Sequence, residues 1–167
     1  MKSSILDGKK ILAVDDEQDV LDVLDEEIMR ACPNCKIDKA TTYETALKKL
    51  ESQSYDVVIL DNMGVRGFEL LDFAVSRNMK VAMLTSHALN PEALKRSFEK
   101  KARAYLPKDK LGEIVPFLED VFTYEFLPGW KVLFKKLGGF FETWKEKSGY
   151  NLYLELKKKY HIDDMEL

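Results

Sequence analysis

The sequence predicts an α/β fold: a doubly wound, five-stranded parallel sheet in the order 2-1-3-4-5, with further helices at the C terminus. Two observations predict it. Short apolar runs alternate with helical patterns through residue 122, and successive βα units can close only as a parallel sheet with helices on both faces. Chemistry-bearing side chains also stand at the ends of four of those runs, where such sheets bind their ligands.

Lys10–Val14 reads as the first strand, and Val20, Val23, Leu24 and Ile28 follow at helical spacing. Lys36–Ala40 is weaker and charged, as an edge strand that must not pair with strangers should be. Thr41 with Glu44 forms a capping box for a helix through Ala46, Leu47 and Leu50. Asp56–Leu60 is β-branched and apolar on both faces, the mark of a central strand, and a helix follows around Leu70, Leu71 and Ala74. Val81–Thr85 is the fourth strand. Asn90-Pro91 then supplies an N-cap and a first-turn proline for a helix through Leu94 and Phe98. Ala104–Leu106 is the fifth strand; Ile114, Val115, Leu118, Val121 and Phe122 mark the fifth helix, with Pro116 near its start.

The chain has 167 residues, room for one ordinary domain and an appendage, and 46% of them are apolar, so a substantial core is available. A net charge of −3 argues against a protein whose main work is coating nucleic acid. No apolar run approaches the roughly 18 residues of a membrane span, and no secretory leader is legible at the N terminus. The expectation is a cytoplasmic protein. Cys32-Pro33-Asn34-Cys35 is a CxxC without a second pair to complete a zinc site, and it follows a helix where a redox pair would precede one, so it reads as a structural turn. His87 reads as a loop histidine.

Asp15-Asp16 closes the first strand, Asp61 the third and Thr85 the fourth, and Lys108 lies just beyond the fifth. Carboxylates brought together in one crevice repel one another, and a divalent cation relieves this; an all-oxygen donor set favours Mg²⁺. A lysine and a hydroxyl facing an aspartate would neutralise and hydrogen-bond the oxygens of an incoming phosphoryl group. The residues point to Mg²⁺-dependent phosphoryl capture on an aspartate.

Val14-Asp15-Asp16-Glu17, Val58-Ile59-Leu60-Asp61, Leu84-Thr85-Ser86 and Tyr105-Leu106-Pro107-Lys108, in that order at strand ends, resemble the motifs of a response regulator receiver domain. The resemblance covers about residues 8–122 and implies a flavodoxin-like fold and two-component phosphorelay signal transduction. It implies that Asp61 is the phosphoacceptor, served by a histidine kinase or phosphotransfer protein. Asp15, Asp16, Asp61 and the backbone carbonyl of Met63 would hold Mg²⁺. Lys108 would bind the phosphate, Thr85 would swing toward it, and Tyr105 would be the aromatic switch. Ser86 stands where the family has a small residue. The sequence departs from the family at Asp61-Asn62-Met63-Gly64-Val65-Arg66-Gly67, which is shortened, with the methionine one position early and no proline, and Lys108 is followed by Asp109 where the family often has proline. The expected product is therefore a phosphoprotein that assists its own phosphorylation and dephosphorylation without turning over an external substrate. The alternatives are a receiver-like scaffold working without phosphate and a Mg²⁺-dependent phosphohydrolase of the haloacid dehalogenase type. The latter's Asp-x-Asp pattern is replaced here by Asp15-Asp16-Glu17.

Composition changes after residue 122, dividing the chain into a receiver domain, 1–122, and an aromatic-rich, mainly helical extension, 123–167, which holds ten of the 18 aromatic residues. Trp130, Leu133, Phe134, Leu137, Phe141 and Trp144 form one apolar helical stripe, interrupted by Gly138-Gly139. Two readings stay open: the stripe packs on the domain's own surface, or Trp130, Phe134, Phe141 and Trp144 form an interface for a homodimer or a partner protein. Leu152, Leu156 and Tyr160 could continue a second helix, or Leu152–Leu156 a short strand. Eight basic and seven acidic residues in the extension argue against a membrane surface, and no DNA-binding domain is legible in it. Because the fifth helix leads directly into the extension, phosphorylation is expected to alter its docking or dimerisation.

Overall fold

The strands expected from the apolar runs form β1 (Lys10–Val14), β2 (Lys36–Ala40), β3 (Val57–Asp61), β4 (Lys80–Thr85) and β5 (Ala104–Pro107) in a computed structural model describing residues 4–86, 91–137, 154–155 and 158–159. All four pairings are parallel, in the order β2-β1-β3-β4-β5. The helices are α1 (Gln18–Ala31), α2 (Tyr43–Ser52), α3 (Gly67–Ser76), α4 (Pro91–Glu99), α5 (Ile114–Thr123) and α6 (Phe126–Lys136), with a 3-10 turn over Lys108–Glu113. This is the flavodoxin-like arrangement expected.

β3 is buried along its whole length, as its unbroken apolar run requires of a strand covered on both faces. Asp56 lies just before it and spends its carboxylate on the Lys10 N–H (2.8 Å), whereas Asp61 belongs to the strand. α1 turns Val20, Leu21, Leu24 and Ile28 inward. Leu21 takes the place expected of Val23, which is 39% exposed. The cap of α2 is Thr42, not Thr41: its hydroxyl accepts the Thr45 N–H at 3.2 Å. The reciprocal Thr41–Glu44 box is therefore replaced by a cap one residue later. α4 begins at Pro91 as expected; its proposed cap Asn90 and His87 lie outside the described residues. Pro116 falls in the first turn of α5, where its missing N–H costs no intrahelical bond.

The two edges of the sheet differ. β2 is half-buried through Ile37–Lys39, and its charges are used locally: Lys39 pairs with Asp25 at 2.6 Å, and Tyr55 Oη donates to Asp38 Oδ2 at 2.6 Å. β5 is buried at all four positions although it too is an edge strand. The C-terminal stripe accounts for this, because α6 packs on β5 and α5 and covers that edge. Trp130, Leu133, Phe134 and Leu137 belong to the same hydrophobic core as the sheet. Trp130 is fully buried, donates from Nε1 to the Ala102 carbonyl at 2.9 Å, and meets Phe98 edge-on at 5.1 Å between ring centroids. Phe126 lies 5.1 Å from Phe98, and Phe134 lies 5.7 Å from Trp130.

Trp130 and Phe134, one of whose two readings above was packing on the domain's own surface, lie buried in this chain's core. Phe141 and Trp144 lie outside the described residues, as do Gly138-Gly139, Leu152, Leu156 and Tyr160. Within Leu152–Leu156 the described pair Leu154–Glu155 is helical, and Leu154 is 42% exposed.

Cys32 and Cys35 are free and buried at the end of α1 and the start of β2, with their sulfurs 2.8 Å apart. Cys35 Sγ donates to the Leu6 carbonyl and Cys32 Sγ to Asp7 Oδ1, so the pair fastens the turn to the N-terminal segment. Burial and the neighbouring Cys32 push the Cys35 thiol up to about 12.

Candidate functional site

Parallel strands deliver their C-terminal ends to one side of the sheet, and here each interior strand ends in a polar group. Asp15 follows β1, Asp61 ends β3, and Thr85 ends β4; all three are buried. Register sets them side by side: Asp61 pairs with Leu84, one residue before Thr85, and Thr85 with Pro107, one residue before Lys108. Lys108 enters from beyond β5. Its Nζ lies 2.9 Å from Asp15 Oδ2 and 3.5 Å from Asp61 Oδ1.

Asp15, Asp16 and Asp61 each offer a carboxylate oxygen within 4.8 Å of the others. Two are buried, and the cost of crowding shows in their proton affinity. Burial first, and then the Asp15 charge, push Asp61 up to about 6 against the opposing pull of Lys108 and the Met63 N–H. Asp15 is also raised by burial, despite the Glu17 N–H on its Oδ1 (2.8 Å) and the ammonium of Lys108. Burial works against the charge on Lys108, but the carboxylates of Asp15, Asp61 and Glu17 outweigh it and hold the ammonium above its ordinary range. A hard divalent cation would stabilise all three carboxylates in their charged forms, so the donor set fits Mg²⁺.

The shortened segment after Asp61 is folded tightly over this cluster. Asn62 N–H donates to the Leu84 carbonyl at 3.0 Å, and its buried Oδ1 has no hydrogen-bond partner among the described residues. Val65 is fully buried and anchors the loop, while the Met63 side chain is 68% exposed. Two glycines make the short path passable. Gly64 has φ +79°, and a Cβ there would stand 2.5 Å from Asp16 Oδ2; one at Gly67, the first residue of α3, would stand 2.0 Å from the Asp61 carbonyl oxygen. Arg66, at φ 54°, caps the segment with its guanidinium 4.0 Å above the Tyr43 ring and Nε 3.1 Å from Glu69.

The expected residues Asp15, Asp16, Asp61, Thr85 and Lys108 are therefore brought to one end of the sheet. Tyr105, in register with Met83, is fully buried in β5. Sequence reasoning missed Glu17, whose Oε1 lies 3.1 Å from Lys108 Nζ. It also missed Gly64, whose role depends on where Asp16 points. The only signal for Glu17 was its place beside the acidic pair.

Among solved structures, the response regulator DrrB of Thermotoga maritima matches at 23% identity and TM-score 0.60, over 71% of this chain and 57% of that one. The chain thus spans just over half the length of that relative. The BeF3-activated DrrB receiver domain matches at 21% identity and TM-score 0.60, covering 70% and 98%. A putative response regulator from Chloroflexus aurantiacus J-10-fl matches at 24% and 0.61, covering 70% and 98%. At these identities the likeness is one of fold. A search of curated proteins finds no match. The model of the response regulator receiver domain matches residues 11–118. That stretch is well over half of the chain and carries every strand-end group described above, so the protein belongs to the response regulator receiver domain family.

Proposed function

We propose that the protein accepts a phosphoryl group on Asp61 from a histidine kinase or phosphotransfer protein and thereby switches a protein-interaction surface. The supporting observation is the cluster of Asp15, Asp16 and Asp61 within 4.8 Å of one another, with Lys108 3.5 Å from Asp61. An Asp61 carboxylate oxygen attacks phosphorus; the new O–P bond forms as the N–P bond of the donor's phosphohistidine breaks, and the imidazole keeps the electron pair. Lys108 and Thr85 receive the phosphoryl oxygens on one side. Asp15, Asp16, Asp61 and the Met63 carbonyl would hold Mg²⁺. Magnesium, when bound, offsets the negative charge of the carboxylates and the phosphoryl group.

In this reading residues 1–122 carry the chemistry, and the extension from 123 carries the response. Thr85 and Tyr105 act as the switch. The protein works in two-component signalling in the cytoplasm and has no external substrate of its own. The shortened loop favours one competing reading, a receiver-shaped scaffold indifferent to phosphate. Intact mass after incubation with a small phosphodonor and Mg²⁺ separates the two. The phosphoacceptor reading expects a Mg²⁺-dependent phosphoryl adduct that Asp61→Ala abolishes; a folded parent chain without an adduct leaves the scaffold reading.

A further inference from the structure

We propose that α6 is the resident partner of the face formed by α4, β5 and α5, and that phosphorylation of Asp61 releases it. The inference rests on the phosphoacceptor reading above. Thr85 and Lys108 stand at the C-terminal ends of β4 and β5. The helices that follow those two ends are α4 and, after the 3-10 turn, α5. These helices also hold α6. Phe98 of α4 meets Trp130 and Phe126; the Ala102 carbonyl, in the turn between α4 and β5, accepts the Trp130 N–H; Lys136 pairs with Asp120 of α5. A phosphoryl group that draws Thr85 and Lys108 toward Asp61 pulls on both walls of the seat.

Helix α6 is poorly equipped to persist without that seat. It has 11 residues, below the length at which isolated helices hold in water, and Phe126-Leu127-Pro128-Gly129 opens it with two weak helix formers. Its stability comes from docking its apolar face, so undocking and unfolding are one event. A small displacement of α4 or α5 is therefore converted into an order–disorder change rather than a sliding of one rigid helix on another. Release uncovers the β5 edge and exposes the aromatic side chains of α6.

The test is hydrogen exchange on the full chain with Mg²⁺, before and after phosphorylation by an acyl phosphate donor, with intact mass taken on the same samples. In the donor step the Asp61 oxygen gains the phosphoryl group and the carboxylate of the donor leaves. Amides of Trp130–Leu137 are expected to exchange about tenfold faster or more in the phosphorylated chain, with β1 and β3 unchanged. Trp130→Phe keeps an aromatic ring but deletes the N–H donated to Ala102 and part of the buried volume; it is expected to speed exchange of α6 before phosphorylation and to narrow the response. An adduct with unchanged or slower exchange in α6, or with exchange raised evenly across the sheet, overturns the release and leaves the phosphoacceptor reading standing. A folded chain that takes no adduct overturns both.

Discussion

Glu17 and Lys108 form an ion pair at 3.1 Å across the mouth of the site, and the same ammonium lies 3.5 Å from Asp61. The Lys108 side chain is 11% exposed and that of Glu17 63% exposed, so the pair joins a partly buried donor to a solvated acceptor. Lys108 must face the phosphoryl group during transfer, and Glu17 competes for it. Exposed pairs are worth about 0–1 kcal/mol, so Glu17→Gln should speed acyl-phosphate labelling of Asp61 by no more than about fivefold. Timed intact-mass measurements at fixed Mg²⁺ check this. Slower labelling in the variant would show that Glu17 aids Lys108 rather than restraining it.

The raised proton affinity of Asp61 makes the metal-free protein pH-sensitive in a stated direction. With Asp61 pushed up from 3.8 to about 6, the folded state holds a proton that the unfolded chain gives up. The resulting stabilisation is complete below the unfolded value and is lost as pH rises through about 6, a change on the order of 2–3 kcal/mol. Thermal unfolding in chelator should therefore show a Tm contribution that falls between about pH 4 and about pH 6 and is level above that, and Asp61→Asn should remove it. Saturating Mg²⁺ should flatten the profile by favouring the charged form. A parent and an Asp61→Asn variant with the same Tm profile in chelator would contradict the burial argument.

Gly64 offers a direct test of how the shortened loop tolerates the acidic pair. Gly8 has nearly the same φ, +74° against +79°, but nothing within 4 Å of its missing Cβ. Gly8→Ala therefore reports backbone strain alone, on the order of 1–2 kcal/mol. Gly64→Ala adds a collision with the Asp16 carboxylate, and Mg²⁺ affinity should fall about tenfold or more, as when a group that orients a ligand is disturbed. Titration of Mg²⁺ against intrinsic fluorescence or by calorimetry reads the difference. Equal Mg²⁺ affinity in the two variants would mean that Asp16 moves aside freely.

The strands were legible because β3 and β4 are continuous apolar runs, and the site was legible because strand ends in a parallel sheet must converge. Pattern alone could not say which of two adjacent threonines caps α2, or that Leu21 rather than Val23 faces the sheet; both turn on a rotation of one residue. The loop after Asp61 was legible only as a shortening. Its glycines matter because of the Asp16 carboxylate and the Asp61 carbonyl, neighbours that spacing does not reveal. The stripe through Trp130 and Phe134 announced a covered helical face, but amphipathicity is silent on what covers it. The cover proves to be this domain's own α4, β5 and α5.

The coupling of α6 to α4 is measurable as an energy. Phe98 and Trp130 meet edge-on at 5.1 Å, and aromatic pairs of that geometry contribute about 0.5–1.5 kcal/mol beyond the area they bury. Trp130→Ala alone should cost about 3–5 kcal/mol, since it empties a fully buried site and strands the Ala102 carbonyl, and Phe98→Ala should cost a similar amount. In the double variant the losses should fall short of additivity by about 1 kcal/mol, because the shared contact is lost only once. Urea unfolding of the four chains closes the cycle. Strict additivity would mean that the two rings are neighbours without energetic coupling.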